Sequence, residues 1–524
     1  MSNPPKVAVI GGGISGLTAG IYLIKHGFDV EIIEKNHNTG GLCTGWTRKG
    51  SYIDGCIHWL TESGHGELHD VMRELGLIKT EADIINLEAY SQACVDGKEI
   101  NFFTDADKLG AELLRFATKN DKPKIEKFIK HVRKCRRNMI TAGRPYHLWT
   151  LTDKLRFFWR ILPLIGTMKD YAKISINEFA ESLESKELQF CFRHTFVPNR
   201  YSMFSLLNTI GGICDKNGGL PSGGSRMFAK RLEDRYIKDG GKLTTGISVN
   251  RIITEGDTAK GIELSNGETV AYDYIVPACS LHFTLDTLLG NKFRIKRVDE
   301  YDANKKGSPI YSLFMVSCRT PKNLDRLNVN RYIKTDEFEV LGAKFDSLYI
   351  KHFGYDKSLS ANGETVVQLI LESSESHFDQ LSAMSKEEYA VFKQEFASQM
   401  MGIARRVCAD EYGELELLDV CTPLTFTHWT NTYKGTFMTY MLTENNKQLI
   451  LRNDILPLRN VVLAGHWMMM PGGIPIAILQ GKFAADTIKY QHDNPDKFNL
   501  TTRMKTMNAS SLNTEGGKVF GRKV

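Results

Sequence analysis

Three glycines near the amino terminus have the spacing of a phosphate-binding turn. Gly11, Gly13 and Gly16 follow a β-branched run at residues 6–10 and precede a segment of helical character at residues 17–26. In such a turn the first glycine permits a sharp bend, the second leaves room for a pyrophosphate, and the third lets helix and strand approach closely. The helix N-terminus then offers free N–H groups and a positive dipole end to the phosphates. This context predicts a dinucleotide site.

An acidic residue and a second glycine pair refine that prediction. Glu34 ends the next predicted strand, 18 residues after Gly16, and its carboxylate can accept hydrogen bonds from ribose hydroxyls. Gly40 and Gly41 follow and allow another close approach of backbone to phosphate. This order of motifs resembles the FAD-binding start of the flavin amine-oxidase and phytoene-desaturase superfamily. The resemblance implies FAD as the cofactor, with contacts from Gly11, Gly13, Ile14, Ser15, Gly16, Glu34, Lys35, Gly41 and Leu42.

Two later segments are similar to further FAD contacts of this superfamily. Residues 460–465 read as a buried strand that ends in glycine, and a helix is predicted from about residue 474 to 490. In the superfamily this strand end and helix N-terminus reach the ribityl chain and the flavin C2 carbonyl, where the helix dipole stabilises negative charge. A β-rich unit at residues 240–277 resembles the part that returns the chain to the FAD domain. The residues implied are Val249, by its backbone at the adenine, and Gly465, Gly473 and Ile474.

Three side chains are candidates for catalytic positions beside the flavin ring: His58, His466 and Trp467. By resemblance, His466 stands where the superfamily commonly has an acid, and Trp467 with the methionines at 468–470 would form a polarizable apolar wall. The segment at residues 54–58 is similar to one in the branch of phytoene desaturases, carotenoid isomerases and retinol saturases, with its glycine displaced by one position. Two alternatives stay open: a packed, hydrogen-bonded core histidine for His58, and a Met-rich core turn for the carboxy-terminal segment.

The elements that must position these residues predict an α/β fold. A discontinuous, Rossmann-like FAD-binding domain is expected at residues 1–75, 215–290 and 455–492. Residues 76–214 and 291–454 are predicted to form an inserted, mixed α/β substrate domain with a helical, membrane-associating segment, and 493–524 a polar tail. No second GxGxxG motif occurs, so a separate NAD(P)H domain is not expected.

Charge is concentrated in one segment. The formal net charge is +6, yet residues 122–137 hold eight Lys or Arg against one acid. A basic amphipathic helix there, followed by aromatic residues up to 165, predicts a membrane surface at 122–165, with an ordinary core helix as the alternative. No nucleic-acid reading module accompanies the charge, so no nucleic acid is expected as a ligand.

Composition and the remaining sequence patterns limit the classes of protein to which this chain can belong. Hydrophobic residues are 42% and charged residues 24% of the 524 residues, which excludes collagen-like and disordered chains. No apolar run is long enough for a transmembrane helix, and no signal sequence is recognised. Ten cysteines without CxxC pairs predict free thiols, no metal, and a cytoplasmic protein, peripheral on the inner membrane face if the basic segment binds lipid.

The family resemblance implies an FAD-dependent oxidoreductase. It would act on carbon–carbon bonds of a lipophilic polyene, carotenoid, retinoid or fatty-acid-like substrate, by hydride transfer at flavin N5, giving desaturation, saturation or isomerisation. A flavin amine oxidase is one alternative. A membrane-associated, lipid-binding flavoprotein without turnover is an alternative of another class.

Overall fold

The computed structural model describes residues 3–136, 143–195, 198–360 and 363–495. Most of the predicted polar tail and the end of the basic segment lie outside the described residues. The strands are β1 Lys6–Ile10, β2 Asp29–Glu34, β3 Gly45–Arg48, β4 Ser51–Asp54, β5 Ile84–Ile85, β6 Ala89–Val95, β7 Lys98–Phe103, β8 Leu220–Pro221, β9 Lys242–Thr245, β10 Val249–Glu255, β11 Thr258–Leu264, β12 Thr269–Ala271, β13 Tyr274–Pro277, β14 Tyr311–Thr320, β15 Asn330–Val340, β16 Ala343–His352, β17 Thr365–Ser374 and β18 Glu416–Cys421.

The helices, in chain order, are α1 Ile14–Lys25, α2 Glu67–Glu74, α3 Ala106–Phe116, α4 Lys122–Cys135, α5 Leu151–Ile161, α6 Ile165–Tyr171, α7 Ile176–Glu181, α8 Lys186–Arg193, α9 Met203–Ile213, α10 Gly224–Lys238, α11 Leu281–Phe283, α12 Lys296–Ala303, α13 Glu375–Ser382, α14 Lys386–Tyr412, α15 Pro423–Thr430 and α16 Gly473–Asp493.

A parallel sheet gathers three distant parts of the chain. Its strands lie in the order β13-β1-β2-β9, and a bridge between Ile275 and Val461 adds the carboxy-terminal segment beside β13. α1 and α16 pack together so tightly that a Cβ at Gly481 would lie 2.3 Å from the carbonyl oxygen of Ser15. Because parallel strands share one carboxyl edge, the glycine turn after β1 and the segment after residue 464 meet at the same edge.

A larger sheet stands opposite that edge. Seven strands lie in the order β18-β14-β17-β16-β15-β6-β7, all antiparallel except the β15–β6 pair. One face carries Phe314, Val367 and Leu369, which pack with Phe396 and Met400 of α14 in a shared core. Since side chains alternate along a strand, the intervening positions point the other way. Strands from both predicted parts of the substrate domain join this sheet, and the domain boundaries themselves stay a prediction.

The basic helix packs as a core helix. In α4 the apolar positions Ile125, Phe128, Ile129 and Val132 are buried together with α3 and α9, and the lysines face outward. This helix therefore offers no apolar face to a lipid surface, and the membrane surface predicted at 122–165 stays a prediction. The alternative that the sequence left open, a core helix with a solvated charged face, describes α4. Among the described residues no helix combines the length and apolar character needed to cross a bilayer.

Apolar side chains are instead exposed on α5 and the turn after it. Leu155 and Trp159 are 52% and 66% exposed, and Leu151, Leu162 and Ile165 accompany them on the surface. The helix begins with a capping box at Thr150, whose hydroxyl accepts from the N–H of Asp153. A helix fixed in this way, with bulky residues directed to solvent, lacks a partner for that face within the described residues.

Candidate functional site

One cavity of about 1020 Å³ lies between the carboxyl edge of the parallel sheet and the inward face of the large sheet. The glycine turn, the end of β2 and the start of α16 line one end. Aromatic and aliphatic residues of α5, α9, β15, β16 and β17 line the other end. The two ends form a continuous space, so a ligand at the first can contact one at the second.

Each of the three glycines of the turn is needed for a different structural reason. Gly11 has φ +104°, a left-handed conformation that L side chains rarely adopt. A Cβ at Gly13 would meet no protein atom nearer than 3.8 Å, whereas at Gly16 it would lie 1.9 Å from the carbonyl oxygen of Gly11. Gly13 therefore leaves open space for a ligand, and Gly16 permits the close packing of α1 on β1.

Two helix N-termini open onto the same end of the cavity. Neither α1 nor α16 begins with a side-chain cap from its N-cap residue or has an acid in its first turn. The first N–H groups of α1 and the N–H of Ile474 in α16 are therefore available to an anion, whereas the N–H of Gly473 donates to His466 and Pro475 has no N–H. The N–H of Gly465 donates to Oγ of Ser15 at 2.8 Å, which ties the start of α1 to the segment before α16. Gly472 and Gly473 have φ values of +85° and +81°, which turn the chain into α16. This arrangement suits a ligand with negative charge at two places.

Glu34 is held at the end of β2 by backbone and amide donors. Its Oε2 accepts from the N–H of Gly12 at 2.8 Å, and its Oε1 accepts from the N–H and side-chain amide of Asn36 at 2.9 Å. The next residue, Lys35, donates to the carbonyl of His428 and to Oδ1 of Asn431. The carboxylate keeps further lone pairs, which ribose hydroxyls can use.

The structure brings nearly all of the sequence-predicted site residues to this cavity. Those that line it are Gly11, Gly13, Ile14, Ser15, Glu34, Lys35, Gly41, Leu42, His58, Val249, Gly465, His466, Gly473 and Ile474. Gly16 lies behind the turn, as its packing role requires. Trp467 is the other residue that does not line the cavity.

Trp467 points into the protein core. Its indole is 2% exposed, with its ring centroid 4.7 Å from that of His282 and 5.1 Å from that of Tyr440. Met468 and Met470 are buried in the same cluster, whereas Met469 lines the cavity. Adjacent residues of the short turn at 466–468 face different directions, so only part of the expected apolar wall exists. For Trp467 and two of the methionines, the core-turn alternative is the correct description.

His58 is both packed and accessible from the cavity. Its Nδ1 lies 3.3 Å from the hydroxyl of Tyr349, which donates to Oδ1 of Asn330 at 2.8 Å. Because the tyrosine proton is already used, Nδ1 of His58 donates, and Nε2 is left as an acceptor. Burial and the nearby Lys351 ammonium hold the pKa of His58 well below its usual value, so the ring is neutral.

His466 has the opposite hydrogen-bonding polarity. The N–H of Gly473 donates to its Nδ1 at 3.3 Å, so the ring proton is on Nε2. Burial lowers the pKa of His466 to about 4, which keeps the ring neutral. The cavity is therefore lined by one neutral imidazole that accepts at Nε2 and another that donates there.

Several residues of the cavity were not found by sequence reasoning. Tyr332 and Tyr349 stack with ring centroids 4.4 Å apart, and Tyr349 orients His58. Lys351, one pleat further along β16, does not line the cavity; it is buried and donates from Nζ to the carbonyl of Ile57, a lining residue, at 2.7 Å. Burial lowers the pKa of Lys351 to about 8. These residues stand in strands with no motif, and only the pairing of the sheet brings them to the site.

Comparison with known proteins identifies the family. The sequence matches the family described as flavin containing amine oxidoreductase over residues 14–489. The chain belongs to this family. A Danio rerio protein named inactive all-trans-retinol 13,14-reductase is 25% identical over 377 residues, which cover 67% of this chain and 59% of that protein. A Methylomonas sp. 4,4'-diapophytoene desaturase (4,4'-diapolycopene-forming) is 22% identical over 516 residues, covering 94% of this chain and 96% of the relative.

The fold agrees with that of solved structures of flavin-containing amine oxidoreductases. A putrescine oxidase structure superposes with a TM-score of 0.58 at 13% identity, covering 93% of this chain and 99% of that one. The predicted α/β fold and the family resemblance are confirmed. FAD fits the site: Gly13 adds no side chain there, the N-termini of α1 and α16 face it with free N–H groups, and Glu34 keeps free acceptors. The chain is an FAD-dependent oxidoreductase of this family.

Proposed function

We propose that this protein acts on a carbon–carbon bond of a lipophilic polyene by desaturation, saturation or isomerisation. The observation that carries this proposal is the continuous cavity, whose far end is lined by Phe157, Phe204, Phe345, Phe426 and Leu442. Such a lining favours an extended apolar ligand over a small polar one. The diapophytoene desaturase, matched over 96% of its length, supports the same substrate class, and so does the retinol reductase relative, which is itself named inactive and is matched over 59% of its length.

FAD, when bound, supplies hydride transfer, and the protein supplies orientation and exclusion of water. Gly11, Gly13, Ile14, Ser15, Glu34, Lys35, Gly41, Leu42, Val249, Gly465, Gly473 and Ile474 are the residues proposed to hold it. His466 donates from Nε2 at the end of the cavity where α16 begins. His58 accepts at Nε2 and stands between that end and the stacked tyrosines. Both imidazoles are neutral, so they orient groups by hydrogen bonding without adding charge to an apolar cavity.

The reaction is tested by anaerobic titration of the FAD-loaded protein. Oxidised protein is mixed with phytoene and dithionite-reduced protein with all-trans-retinol, with flavin absorbance and extracted products followed together. We expect bleaching, reoxidation or an isomerised product with at least one polyene. Flavin absorbance and polyene composition that stay unchanged throughout, in protein shown to hold FAD, would contradict the proposal and favour the lipid-binding alternative.

The membrane surface belongs to the same proposal, at α5 rather than at α4. Phe157 lines the cavity and contacts Trp149 at 5.0 Å between ring centroids, while Leu155 and Trp159 face solvent on the same helix. A lipophile could therefore pass from a bilayer into the cavity without crossing water. Exposed Lys154 and Arg156 add cationic charge beside the apolar residues.

Liposome flotation tests this surface. Leu155→Glu with Trp159→Glu should abolish most adsorption to vesicles containing phosphatidylserine, because two charges replace two inserted side chains. Val391→Glu is the matched control, since Val391 is 52% exposed on α14 at another face. Equal flotation of the double variant and the wild type would exclude α5 as the contact.

A further inference from the structure

One acidic side chain in the cavity has no partner. Five other charged side chains line the cavity, and each contacts a protein group: Glu34 accepts from Gly12 N–H, Lys35 donates to Asn431, and Arg193, Lys344 and Asp346 pair with Glu181, Glu337 and His194. Glu372 is the exception within the described part of the chain, where it takes part in no hydrogen bond or ion pair. The Glu372 side chain lines the cavity and is exposed there, so a ligand that fills the cavity would leave its carboxyl unpaired, at a cost, unless the ligand offers a hydrogen-bond donor.

The position of Glu372 is fixed by the pleat of β17. Gln368, Ile370 and Glu372 alternate with Val367, Leu369 and Leu371, which face the core under α14. Gln368 lies at the end of the strand near the FAD-binding segments, where its Nε2 donates to the carbonyl of Asp54 at 2.6 Å. Glu372 lies four residues, or about 13 Å, further along the same face. It therefore marks the part of the cavity remote from the predicted cofactor.

Three tyrosines from separate elements lie near this carboxyl. Burial and, to a smaller extent, the charge of Glu372 raise the pKa values of Tyr201, before α9, Tyr311 on β14 and Tyr332 on β15. Desolvation within the protein raises the pKa of Glu372 itself to about 7, and among the described residues no cation offsets that effect. Arg200, which interacts with the Tyr311 hydroxyl, donates to the carbonyl of Lys306. The carboxyl is thus left for a ligand.

Two other polar atoms of the cavity lining also lack partners. Within the described residues, Oδ1 of Asn208 on α9 and Oγ1 of Thr195 are buried without hydrogen-bond partners, and both residues line the cavity. All three groups can accept a hydrogen bond. Acceptors in a cavity lined largely by aromatic and aliphatic residues fit a ligand that is apolar along its length and carries a donor at one end.

We propose that Glu372 binds the hydroxyl end of a lipophilic alcohol whose polyene chain extends toward the flavin. This inference rests on the proposed function and names the substrate class within it. A pure hydrocarbon would leave the carboxyl unpaired, and a ligand carboxylate would be repelled by it. A neutral alcohol enters an apolar cavity without the desolvation cost of an ion, and it satisfies the acceptor on arrival.

The test compares two ligands that differ in a single donor. FAD-loaded protein is titrated with all-trans-retinol and with its methyl ether, and ligand fluorescence reports binding without turnover. We expect the wild type to bind the alcohol roughly tenfold or more tightly than the ether. Glu372→Leu should remove this preference while it preserves affinity for the ether. Glu372→Gln, which keeps an acceptor and the side-chain shape, should retain part of it.

Controls distinguish the role of Glu372 as an anchor for the ligand hydroxyl, called the anchor below, from the proposed function. Glu395→Leu makes the same chemical change at an exposed position of α14 and should bind both ligands as the wild type does. If neither ligand binds the holoprotein, the lipophile cavity of the proposed function fails and the anchor with it. If both bind, with equal affinity in wild type and Glu372→Leu, the anchor alone is overturned. Preference for the corresponding amine over the alcohol would also overturn the assignment to an alcohol.

Discussion

The two ends of the cavity are built in different ways. At the cofactor end, recognition comes from backbone: helix N-termini, positive-φ glycines, and a Glu34 carboxylate already held by two N–H groups. At the other end, the proposed substrate end, the lining consists of side chains on β15, β16 and β17, including Glu372, which has no partner in the described part of the chain. A site built from backbone is specified by short sequence motifs and is suited to a single ligand. A side-chain site can change its ligand through single substitutions, without altering the fold.

The largest expected effect comes from adding a methyl group at Gly16, behind the glycine turn of the cofactor end. Gly16→Ala places Cβ 1.9 Å from a backbone oxygen, which cannot move without separating α1 from β1. We expect loss of about 3 kcal/mol or more of stability, together with loss of FAD. Gly13→Ala is the matched variant: its φ of −72° suits alanine and its Cβ would make only ordinary van der Waals contact, 3.8 Å from Cα of Gly41.

Thermal unfolding of both variants, with and without FAD, provides the measurement. Gly13→Ala should unfold like the wild type in the absence of FAD and gain less from added FAD. If Gly13→Ala proved as unstable as Gly16→Ala without cofactor, the separation of ligand space from packing at this turn would be wrong.

The next effect concerns pH and the neutral imidazole at the start of α16. The pKa of His466 falls from an ordinary 6.5 to about 4 through burial. Between these two pH values His466 is protonated in the unfolded chain but not in the folded protein. The free energy of unfolding present above about pH 6.5 therefore decreases as the pH falls toward 4, by up to roughly 3 kcal/mol. His466→Asn keeps an acceptor for the N–H of Gly473 and should reduce this acid-dependent loss.

Urea unfolding at neutral and acidic pH measures the difference between the two proteins. His492→Asn, at an exposed histidine, serves as the control. An acid-dependent loss of the same size in wild type and His466→Asn would show that this imidazole is not kept neutral by burial.

A smaller effect is expected at the ribose acid. Glu34→Gln removes the charge but keeps the shape, and a hydrogen bond to a charged group contributes about 1.5–3 kcal/mol. FAD affinity should therefore fall about ten- to a hundredfold. Glu31→Gln on the same strand is the control, because its carboxylate bonds Thr244 and Tyr272 away from the cavity. Equal FAD affinity in Glu34→Gln and wild type, measured by flavin fluorescence, would remove Glu34 from the site.

The sequence was informative where function lies within a short window. The turn after β1, the acid ending β2 and the glycines before α16 each carry their geometry in neighbouring residues, and the structure brings them to one cavity. β17 does not alternate cleanly between apolar and polar residues, so the face that Glu372 occupies depends on the pairing of this strand with β14 and β16. The amphipathic pattern of α4 was recognised correctly, but periodicity alone does not say whether an apolar stripe meets protein or lipid.

The smallest effect tests the one catalytic candidate that the structure turns away from the cavity. Trp467 and His466 are adjacent, yet the indole packs against His282, Tyr433 and Tyr440 while the imidazole lines the cavity. Trp467→Phe keeps an aromatic ring and removes an indole N–H that has no partner within the described residues, so it should cost only about 1 kcal/mol of stability. Ligand affinity and flavin absorbance should match those of the wild type. A shift in the flavin spectrum of Trp467→Phe, absent from the equally buried Tyr440→Phe, would place the indole beside the flavin after all. The sequence interpretation would then be right and the core assignment wrong.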